Sequence, residues 1–570
     1  MAVIRTSLAI VCLLLPLGSQ AELNIDGIDG ELKRNVAAYA SLAEEPCGAE
    51  AWRLRRRFRS LEAEASSALE PFGYYSPIID STLTLGERCW SAELNIDPGS
   101  PVLIRQVNLS LAGEAVEDRG FRVTAAAPTV GAPLRHRDYD AYKLALQTTA
   151  AARGYFDAQF TESRLDVYPE AFAADIHLAF DSGGRYRIGE VRHSFDFIDP
   201  RIVAGYVDLQ PGDFYDREAI TRAYRDLSSS GFFRRIELTP DLANATDGEV
   251  PLNLLLEPAD RIEYTAGAGY ATDTGLRLTG GYRNRRINTA GHRFNSNVTL
   301  SPVISGITAE YRKPLTDPRT DWLSYTGAID IEDTKTFDSE AIRIGIRRSK
   351  RLSPGWIRTL FVDLSIDEFT VGSVTDRSRL LLPGVSFDHK RADRDIYPTR
   401  GRRFTAELRG STDALLSDNS LLQLIVRARW IRALGKDGRL VARLTAGTTA
   451  IEDFTDLPPA LRFFAGGDES IRGYGYETLG PVDEEGNVIG GNHLAVASLE
   501  YEKRVRGNFY GAVFVDGGNA FDGDAFDPAF GAGLGVIWRS PVGPIRLYLA
   551  HPFDLDDRDV RVHLNLGVGL

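Results

Sequence analysis

The amino-acid sequence predicts a transmembrane antiparallel β-barrel of about 16 strands, preceded by three small α+β domains. Three observations support this fold class. An export signal opens the chain, one short signature occurs three times in the first half, and apolar and polar residues alternate through the second half. Strands rather than helices are therefore expected to carry this protein across a membrane.

The first 21 residues have the pattern of a secretory signal peptide. Arg5 supplies the positive charge, residues 8–17 form the apolar stretch, and Ser19-Gln20-Ala21 form the small-residue cleavage pattern, with cleavage expected after Ala21. A helix needs about 20 apolar residues to span a bilayer, which is about twice the length of this stretch. We therefore interpret residues 1–21 as a signal for export and not as an anchor.

Charge and cysteine content narrow the possible partners and the compartment. The net charge of −13 argues against nucleic acid, because binding phosphates requires clustered positive charge. Once the signal peptide is removed, the cysteines are Cys47 and Cys89. An exported compartment favours a disulfide between them, and two unpaired small side chains remain the alternative.

The first half of the chain contains a repeated signature of glycine followed by two aromatic residues. The three copies begin at Gly73, Gly154 and Gly231, which lie 81 and 77 residues apart. Each copy follows a helical stretch such as residues 217–228, so each glycine is expected to cap a helix in the left-handed conformation. The repeated unit is predicted to run strand, helix, helix, strand, strand. Its three copies are assigned to residues 22–98, 99–184 and 185–260.

From residue 261 to residue 570 the helical spacing gives way to alternation of apolar and polar residues, which indicates strands. The apolar positions of three such strands are Leu323, Tyr325, Gly327, Ile329 and Ile331; Leu360, Val362, Leu364 and Ile366; and Leu422, Leu424, Val426, Ala428 and Trp430. In a membrane barrel the apolar face points to lipid and the polar face lines the lumen. At about 10 residues per strand plus turns, an even number near 16 fits this length.

The first and last strands of the predicted barrel should meet and close the sheet, because backbone groups in lipid must be paired within the protein. The strand at residues 560–570 contains Gly567 and Gly569, which weaken pairing and permit bending. We therefore predict a seam that opens sideways as a lateral gate. Glycines that only relieve crowding are the alternative. The seam residues are Tyr264, Gly267, Gly269, Tyr270, Leu566, Gly567, Gly569 and Leu570.

Residues 461–474 contain the most specific motif, with the core Ile471-Arg472-Gly473-Tyr474. This segment resembles the sixth-loop signature of the BamA/TamA superfamily of barrel proteins. Residues 498–501, 513–518, 531–536 and 540–546 match the same family in the same order. The three repeated units resemble the polypeptide-transport-associated (POTRA) domain, so the resemblance covers the whole mature chain.

The resemblance implies a loop lock, in which the arginine of the motif folds into the lumen and contacts carboxylates on neighbouring strands. A guanidinium can bind a carboxylate through two parallel hydrogen bonds. An exposed loop arginine with no such role is the alternative. Carried over by motif, the lock consists of Ile471, Arg472, Gly473, Tyr474, Glu500 and Asp516.

Three repeats are what the TamA branch of this superfamily carries, and they imply the outer-membrane component of a translocation and assembly module. The three repeated domains, called here the arm, would lie in the periplasm. The protein would assist insertion of outer-membrane proteins such as autotransporters. The implied partners are a TamB-like inner-membrane-anchored periplasmic protein, unfolded outer-membrane client proteins and outer-membrane lipid. A two-partner-type polypeptide secretion pore, or phospholipid transport between the inner and outer membranes, are the alternatives.

Catalysis is not expected. The barrel histidines lie in no nucleophile motif, and Ser470 lacks the flanking glycines of a nucleophile elbow. The sequence also contains no spacing typical of a metal site or a phosphate-binding loop, so neither a metal nor another cofactor is predicted.

Overall fold

The computed structural model describes residues 21–87, 89–394, 397–540, 543–554 and 560–566. The signal sequence before Ala21 and the predicted seam residues Gly567, Gly569 and Leu570 lie outside these ranges. The chain forms two compact units: one holds residues up to 192 with 209–221 and 239–253, and the other holds 193–208, 222–238 and 254–570. Within the described ranges, no helix is long and apolar enough to cross a membrane.

The first small domain packs two helices on a three-stranded sheet. Its elements are β1 (Glu22–Asp26), α1 (Gly30–Tyr39), α2 (Ala51–Leu69), β2 (Ile78–Leu85) and β3 (Trp90–Asp97). The sheet order is β1-β3-β2, with β1 parallel to β3. Every second residue of β3 is buried, and these side chains pack on the buried face of α2. Cys47 and Cys89 form a disulfide with their Cα atoms 4.3 Å apart, which ties the loop before α2 to the β2–β3 hairpin.

The second domain keeps this plan but has lost one helix. Its elements are β4 (Leu103–Ala112), α3 (His136–Arg153), β5 (Gln159–Tyr168) and β6 (Ala173–Asp181), with the sheet order β4-β6-β5. The predicted first helix of this unit is only the 3₁₀ turn Glu114–Val116, so that part of the prediction was wrong. The residues after it include Gly120, Pro128, Gly131 and Pro133, which disfavour a helix.

The third domain has the predicted order of elements. These are β7 (Arg187–Ser194), α4 (Pro200–Ala204), α5 (Arg217–Ser229), β8 (Phe233–Pro240) and β9 (Glu249–Pro258), with the sheet order β7-β9-β8. The signature glycines Gly73, Gly154 and Gly231 have φ values of 92°, 89° and 71°, so the predicted left-handed caps are confirmed. A side chain at Gly73 would also lie 2.5 Å from the Leu134 carbonyl oxygen, which leaves no room for another residue.

The barrel is a closed sheet of 16 strands in sequential order, which confirms the predicted fold class. The strands are β10 (Ile262–Ala271), β11 (Gly275–Asn284), β12 (Arg293–Leu300), β13 (Ile304–Pro314), β14 (Asp321–Asp333), β15 (Phe337–Ser353), β16 (Trp356–Val371), β17 (Val374–Ala392), β18 (Gly401–Ser411), β19 (Leu421–Leu434), β20 (Gly438–Ile451), β21 (His493–Arg506), β22 (Phe509–Phe521), β23 (Ala529–Ser540), β24 (Gly543–Pro552) and β25 (Arg561–Leu566).

Alternation along each strand separates an apolar outer face from a polar lumen. On β15, Ile342, Ile344 and Ile346 are 55%, 58% and 53% exposed, as expected of side chains that face lipid. The intervening Arg343 and Arg347 pair with carboxylates of adjacent strands on the inner face. The alternation of apolar and polar residues along each strand therefore produces both the membrane-facing surface and the charged interior.

Within the second compact unit, α4 and the C-terminal end of α5 contact turns at one end of the barrel. The Tyr206 hydroxyl donates to the Pro318 carbonyl oxygen at 3.1 Å. Arg319 pairs with Asp226 at 3.2 Å, and the Arg293 guanidinium lies 4.1 Å from the centre of the Phe232 ring. These turns therefore mark the end of the barrel that contacts α4 and α5.

Replacing both cysteines, Cys47→Ser with Cys89→Ser, should loosen the first domain without affecting the barrel. The disulfide closes a loop with a sequence separation of 42 residues. A loop of that length corresponds to about 4 kcal/mol of lost chain entropy in the unfolded state. Limited proteolysis of the full chain, with fragments identified by mass spectrometry, should show faster cleavage within residues 22–98 only. Reducing agent should produce the same pattern in the unmodified protein, and equal cleavage rates would contradict a stabilising disulfide.

Candidate functional site

The segment of residues 452–492, between β20 and β21, folds into the barrel and is called here the inward loop. Its buried side chains include Leu457, Leu461, Phe463, Ala465, Ile471 and Tyr474. A side chain at Gly447 of β20 would lie 2.3 Å from the Phe463 ring, so this glycine makes room for the loop. Apolar residues that would be unfavourable in an exposed loop are thus shielded from solvent inside the barrel.

Arg472 is the centre of the inward loop and is only 2% exposed. Its Nε donates to Asp516 Oδ2 at 2.7 Å and its Nη2 donates to Asp516 Oδ1 at 2.9 Å, which is a bidentate pair. Its Nη1 donates to Glu500 Oε2 at 2.5 Å, and its backbone N–H also donates to Asp516 Oδ2, at 3.1 Å. The structure thus brings together the arginine and both carboxylates of the predicted lock.

The strand register explains why the two carboxylates converge. Asp516 of β22 lies opposite Ser498 of β21, and Phe514 lies opposite Glu500, so all four side chains point into the lumen. The Arg472 guanidinium stacks 3.5 Å from the Phe514 ring centre. Two carboxylates and one guanidinium leave a net negative charge, which is stabilised by a hydrogen bond from the Tyr548 hydroxyl to Glu500 Oε1 at 3.0 Å.

The other residues of the predicted lock hold the loop backbone against β23. Gly473 has φ of +104°, which only glycine adopts without strain. A side chain at Gly531 of β23 would lie 2.0 Å from the Arg472 carbonyl oxygen, so a second glycine permits this approach. The Tyr474 hydroxyl contacts the Phe530 carbonyl oxygen at 3.1 Å, and Ile471 is fully buried beside Tyr474.

The described part of the seam lies at the C-terminal end of β10. Leu566 and Asn565 of β25 pair with Tyr270 and Ala271, and Leu564 bonds to Thr272 just beyond the end of β10. A side chain at Gly269 would lie 2.7 Å from the Leu566 carbonyl oxygen, so this predicted seam glycine permits close approach. Tyr264 and Gly267 lie nearer the N-terminal end of β10, where their described partners are Tyr282 and Thr279 of β11.

A polar cluster, called here the seam clasp, joins the inward loop to both sides of the seam. It consists of Asp468 of the loop, Asp273 of the β10–β11 turn and His563 of β25. The Asp468 backbone N–H donates to Asp273 Oδ2 at 2.6 Å. His563, which is 1% exposed, bonds through Nδ1 to Asp468 Oδ1. In the sequence, His563 is one of the barrel histidines that lie in no nucleophile motif. Nothing in the sequence alone singles out Asp273.

The chemistry of His563 favours a hydrogen-bond relay over metal binding at the clasp. The three side chains lie close enough for their ligand atoms to share one ion, within 4.8 Å of one another. However, His563 Nε2 accepts the Gly473 N–H at 2.9 Å, so in the neutral ring Nδ1 carries the proton and donates to Asp468. Neither ring nitrogen then has a free lone pair for a metal.

A second cluster, which the sequence analysis missed, lies at the turn between β17 and β18. Tyr397, from the β17–β18 turn, donates its hydroxyl hydrogen bond to Glu502. Arg439 binds the same carboxylate through two bonds, of 2.9 and 2.7 Å. The Arg439 and Arg539 guanidinium groups lie 3.5 and 3.1 Å from the centre of the Tyr397 ring. The residue that could have indicated this cluster from the sequence is Glu502. It lies two residues after Glu500 and therefore on the same face of β21.

The rest of the lumen contains a cavity of about 610 Å³ beside the strands that follow the seam. Charged groups of both signs line it, among them Glu263, Glu310, Arg343, Arg347, Asp363 and Arg409. Several are paired across strands, such as Arg347 with Asp363 at 2.6 Å. The cavity is suited to polar chain segments rather than to an apolar ligand.

The chain matches two protein-family models. A family model described as the Omp85 superfamily domain matches residues 271–570, and one described as POTRA domain TamA domain 1 matches residues 22–98. Two curated relatives are named outer membrane protein assembly factor BamA. The protein from Nitratidesulfovibrio vulgaris is 24% identical over 383 residues, which cover 64% of this chain and 48% of the relative. The protein from Neisseria meningitidis is 23% identical over 428 residues, which cover 62% and 52%.

The chain therefore spans about half the length of the curated relatives that it matches. Among solved structures, the crystal structure of BamA from Haemophilus ducreyi lacking POTRA domains 1–3 covers 96% of this chain, and this chain covers 99% of it. The TM-score is 0.58 and the identity is 15%. At that identity the likeness shows the fold.

Removing the Arg472 guanidinium should destabilise the inward loop because two buried carboxylates would remain without a cation. Arg472→Met is expected to lower the stability of the folded barrel by about 3–5 kcal/mol. The triple variant Arg472→Met, Glu500→Gln, Asp516→Asn should recover most of this loss. The measurement is the temperature at which the barrel loses its SDS-resistant folded form, together with protease cleavage within residues 452–492.

The matched control is Arg379→Met, which removes an exposed ion pair with Asp418 whose side chains are 53% and 43% exposed. Exposed pairs contribute only about 0–1 kcal/mol, so this variant should melt almost as the unmodified barrel does. Equal effects of Arg472→Met and Arg379→Met would show that the buried triad does not hold the loop.

Proposed function

Because the chain belongs to the Omp85 superfamily, we propose that it is the outer-membrane component of a translocation and assembly module of the TamA type. It assists the insertion of other outer-membrane proteins, autotransporters among them. The match of residues 22–98 to the first POTRA domain of the TamA type supports this branch. The three-domain arm and the two relatives named as assembly factors support the assembly role.

The observation that carries the proposal is that the inward loop is tied to both sides of the junction between the first and last strands. Asp468 of the loop bonds to Asp273 after β10 and to His563 of β25. No turn or loop directly connects β10 and β25, the first and last strands of the closed sheet, so these two strands can separate without strain on a connecting turn. Opening exposes the edge of β10, whose unpaired N–H and C=O groups can pair with a strand of a client protein.

The lock and the clasp have different roles in this mechanism. The bonds of Arg472 to β21 and β22 keep the inward loop in place while the seam opens. The clasp, in contrast, reaches His563 of β25 and Asp273 of the β10–β11 turn, so it must break for the strands to separate. Energy for insertion comes from the folding of the client itself, since no nucleotide-binding motif occurs in the sequence.

The periplasmic arm offers the first contact for clients and partners. In each small sheet the last strand lies in the middle, so β1, β2, β4, β5, β7 and β8 are edge strands. Apolar residues at these edges are exposed, such as Ile78 on β2 at 67%. Unfolded clients can add a strand there without a fixed sequence. We assign the same arm to binding of a TamB-like partner anchored in the inner membrane.

A polypeptide secretion pore is the competing function, and the inward loop makes it less well supported. Apolar and charged residues of the loop occupy the lumen beside β21–β23, which narrows any open path. A pore should conduct ions steadily, whereas an assembly barrel with the loop in place should not. A planar-bilayer current recording distinguishes the two.

Locking the seam should stop client insertion. Ala271 and Asn565 lie directly opposite each other across the seam, which suits a disulfide between Ala271→Cys and Asn565→Cys. We expect the oxidised variant to fold normally but to insert no autotransporter client, and reduction to restore activity. The matched control joins Ala406→Cys and Val426→Cys, an opposite pair on β18 and β19. Full activity of the oxidised seam variant would rule out lateral opening.

Breaking the clasp should make the seam open more often. His563→Ala removes the bonds to Asp468 and to the Gly473 N–H, and we expect faster amide hydrogen exchange in Ile262–Ala271 with no change in β21 or β22. His551→Ala is the control, because His551 makes ring contact with Phe553 outside the clasp. Unchanged exchange in β10 would show that the clasp does not restrain the seam.

A further inference from the structure

Helix α2 of the first domain carries a basic face that none of the contacts above explains. Arginines occupy positions 53, 55, 56, 57 and 59 in a chain whose net charge is −13. The buried side of the helix is Leu54, Leu61, Ala65, Ala68 and Leu69. Helical spacing of 100° per residue places Trp52, Arg55, Arg56 and Arg59 on the opposite side, where all four are exposed. These four residues are called here the basic face.

Ion pairs within the protein neutralise only Arg53 and Arg57, which lie on one flank of this helix. Arg53 and Arg57 both reach Glu45, at 2.7 and 3.5 Å. Arg55, Arg56 and Arg59 form no ion pair with any residue that the structure describes; the Arg59 Nε instead donates to the Arg55 carbonyl oxygen at 3.3 Å. Three positive charges therefore remain free to bind an anionic surface.

Trp52 distinguishes between the possible anionic partners. Its side chain is 60% exposed, and its indole Nε1 donates to the Glu50 carboxylate. An exposed indole beside arginines on a convex helix is the pattern of a membrane interface, where the ring enters the headgroup layer and the cations bind phosphates. An acidic peptide would bind better in a groove, and the nearby groove is lined by Arg34 of α1 with Arg135 and Arg137 of the second domain rather than by the basic face.

We propose that the basic face of α2 binds the surface of a phospholipid bilayer that contains anionic headgroups. The helix lies along the surface, with Trp52 in the interface and Arg55, Arg56 and Arg59 against the phosphates. Each arginine near such a surface strengthens binding by about fivefold. This anchor is independent of whether the barrel inserts clients, and it gives the arm a membrane attachment of its own.

The test uses the full chain held in nanodiscs of phosphatidylcholine, mixed with larger vesicles and separated by flotation. We expect the protein to float with vesicles that contain phosphatidylglycerol, to remain behind with pure phosphatidylcholine, and to lose binding as salt rises. Replacing all three arginines of the basic face with alanine should weaken binding about 100-fold. Replacing them with lysine should preserve it, because the positive charge remains.

The matched control is Arg119→Ala with Arg122→Ala and Arg135→Ala, which removes three exposed arginines of the second domain for which the described residues likewise provide no ion pair. An equal loss of binding in this control would overturn the proposal, because net charge rather than the basic face would then be responsible. Unchanged binding after Trp52→Ala would overturn the interfacial position of the helix. Binding to soluble polyglutamate but not to phosphatidylglycerol vesicles would overturn the proposal in favour of an acidic protein partner.

Discussion

The buried charge of Arg472 is the constraint on which the rest of the barrel interior depends. A guanidinium that is 2% exposed cannot be left unpaired, and neither can Asp516 or Glu500, so the three groups must converge. This requirement fixes the inward loop against β21 and β22. Because Arg472 is fixed, the next residue is also fixed, and the Gly473 N–H then reaches His563 of the last described strand. One ion-pair geometry thus determines where the loop meets the seam.

Strand β21 connects the two ends of the lumen. Glu500 and Glu502 are two residues apart and share its inner face. Glu500 binds Arg472 of the inward loop, whereas Glu502 binds Arg439 and the Tyr397 hydroxyl of the turn between β17 and β18. A shift of β21 by one residue would turn both carboxylates toward lipid, where unpaired charges are costly. The register of this strand is therefore set by its partners at both ends.

The sequence predicted what depends on local periodicity and missed what depends on register between distant strands. The alternation of apolar and polar residues predicted the barrel strands, and the glycine signature predicted three helix caps. Local backbone geometry determines both features. The meeting of Arg472 with Asp516 followed from family resemblance rather than from spacing. The clasp bonds join residues 195 and 95 positions apart, and Tyr397 meets Glu502 across 105 positions. No pattern within one strand specifies which residues of another strand lie opposite, so these clusters required the structure.

The proposed lateral opening requires the inward loop to stay in place while the seam moves. The lock combines a bidentate ion pair, a second carboxylate and aromatic stacking, all on strands that keep full ladders on both sides. At the seam, the described contacts are two strand pairs, the Thr272 bonds to Leu564 and the three-residue clasp. In the proposed mechanism the sheet opens between β10 and β25, the first and last strands, which no turn or loop connects directly. The clasp, which bridges this boundary, is then the element expected to break first, because elements that move in function are drawn from the low end of local stability.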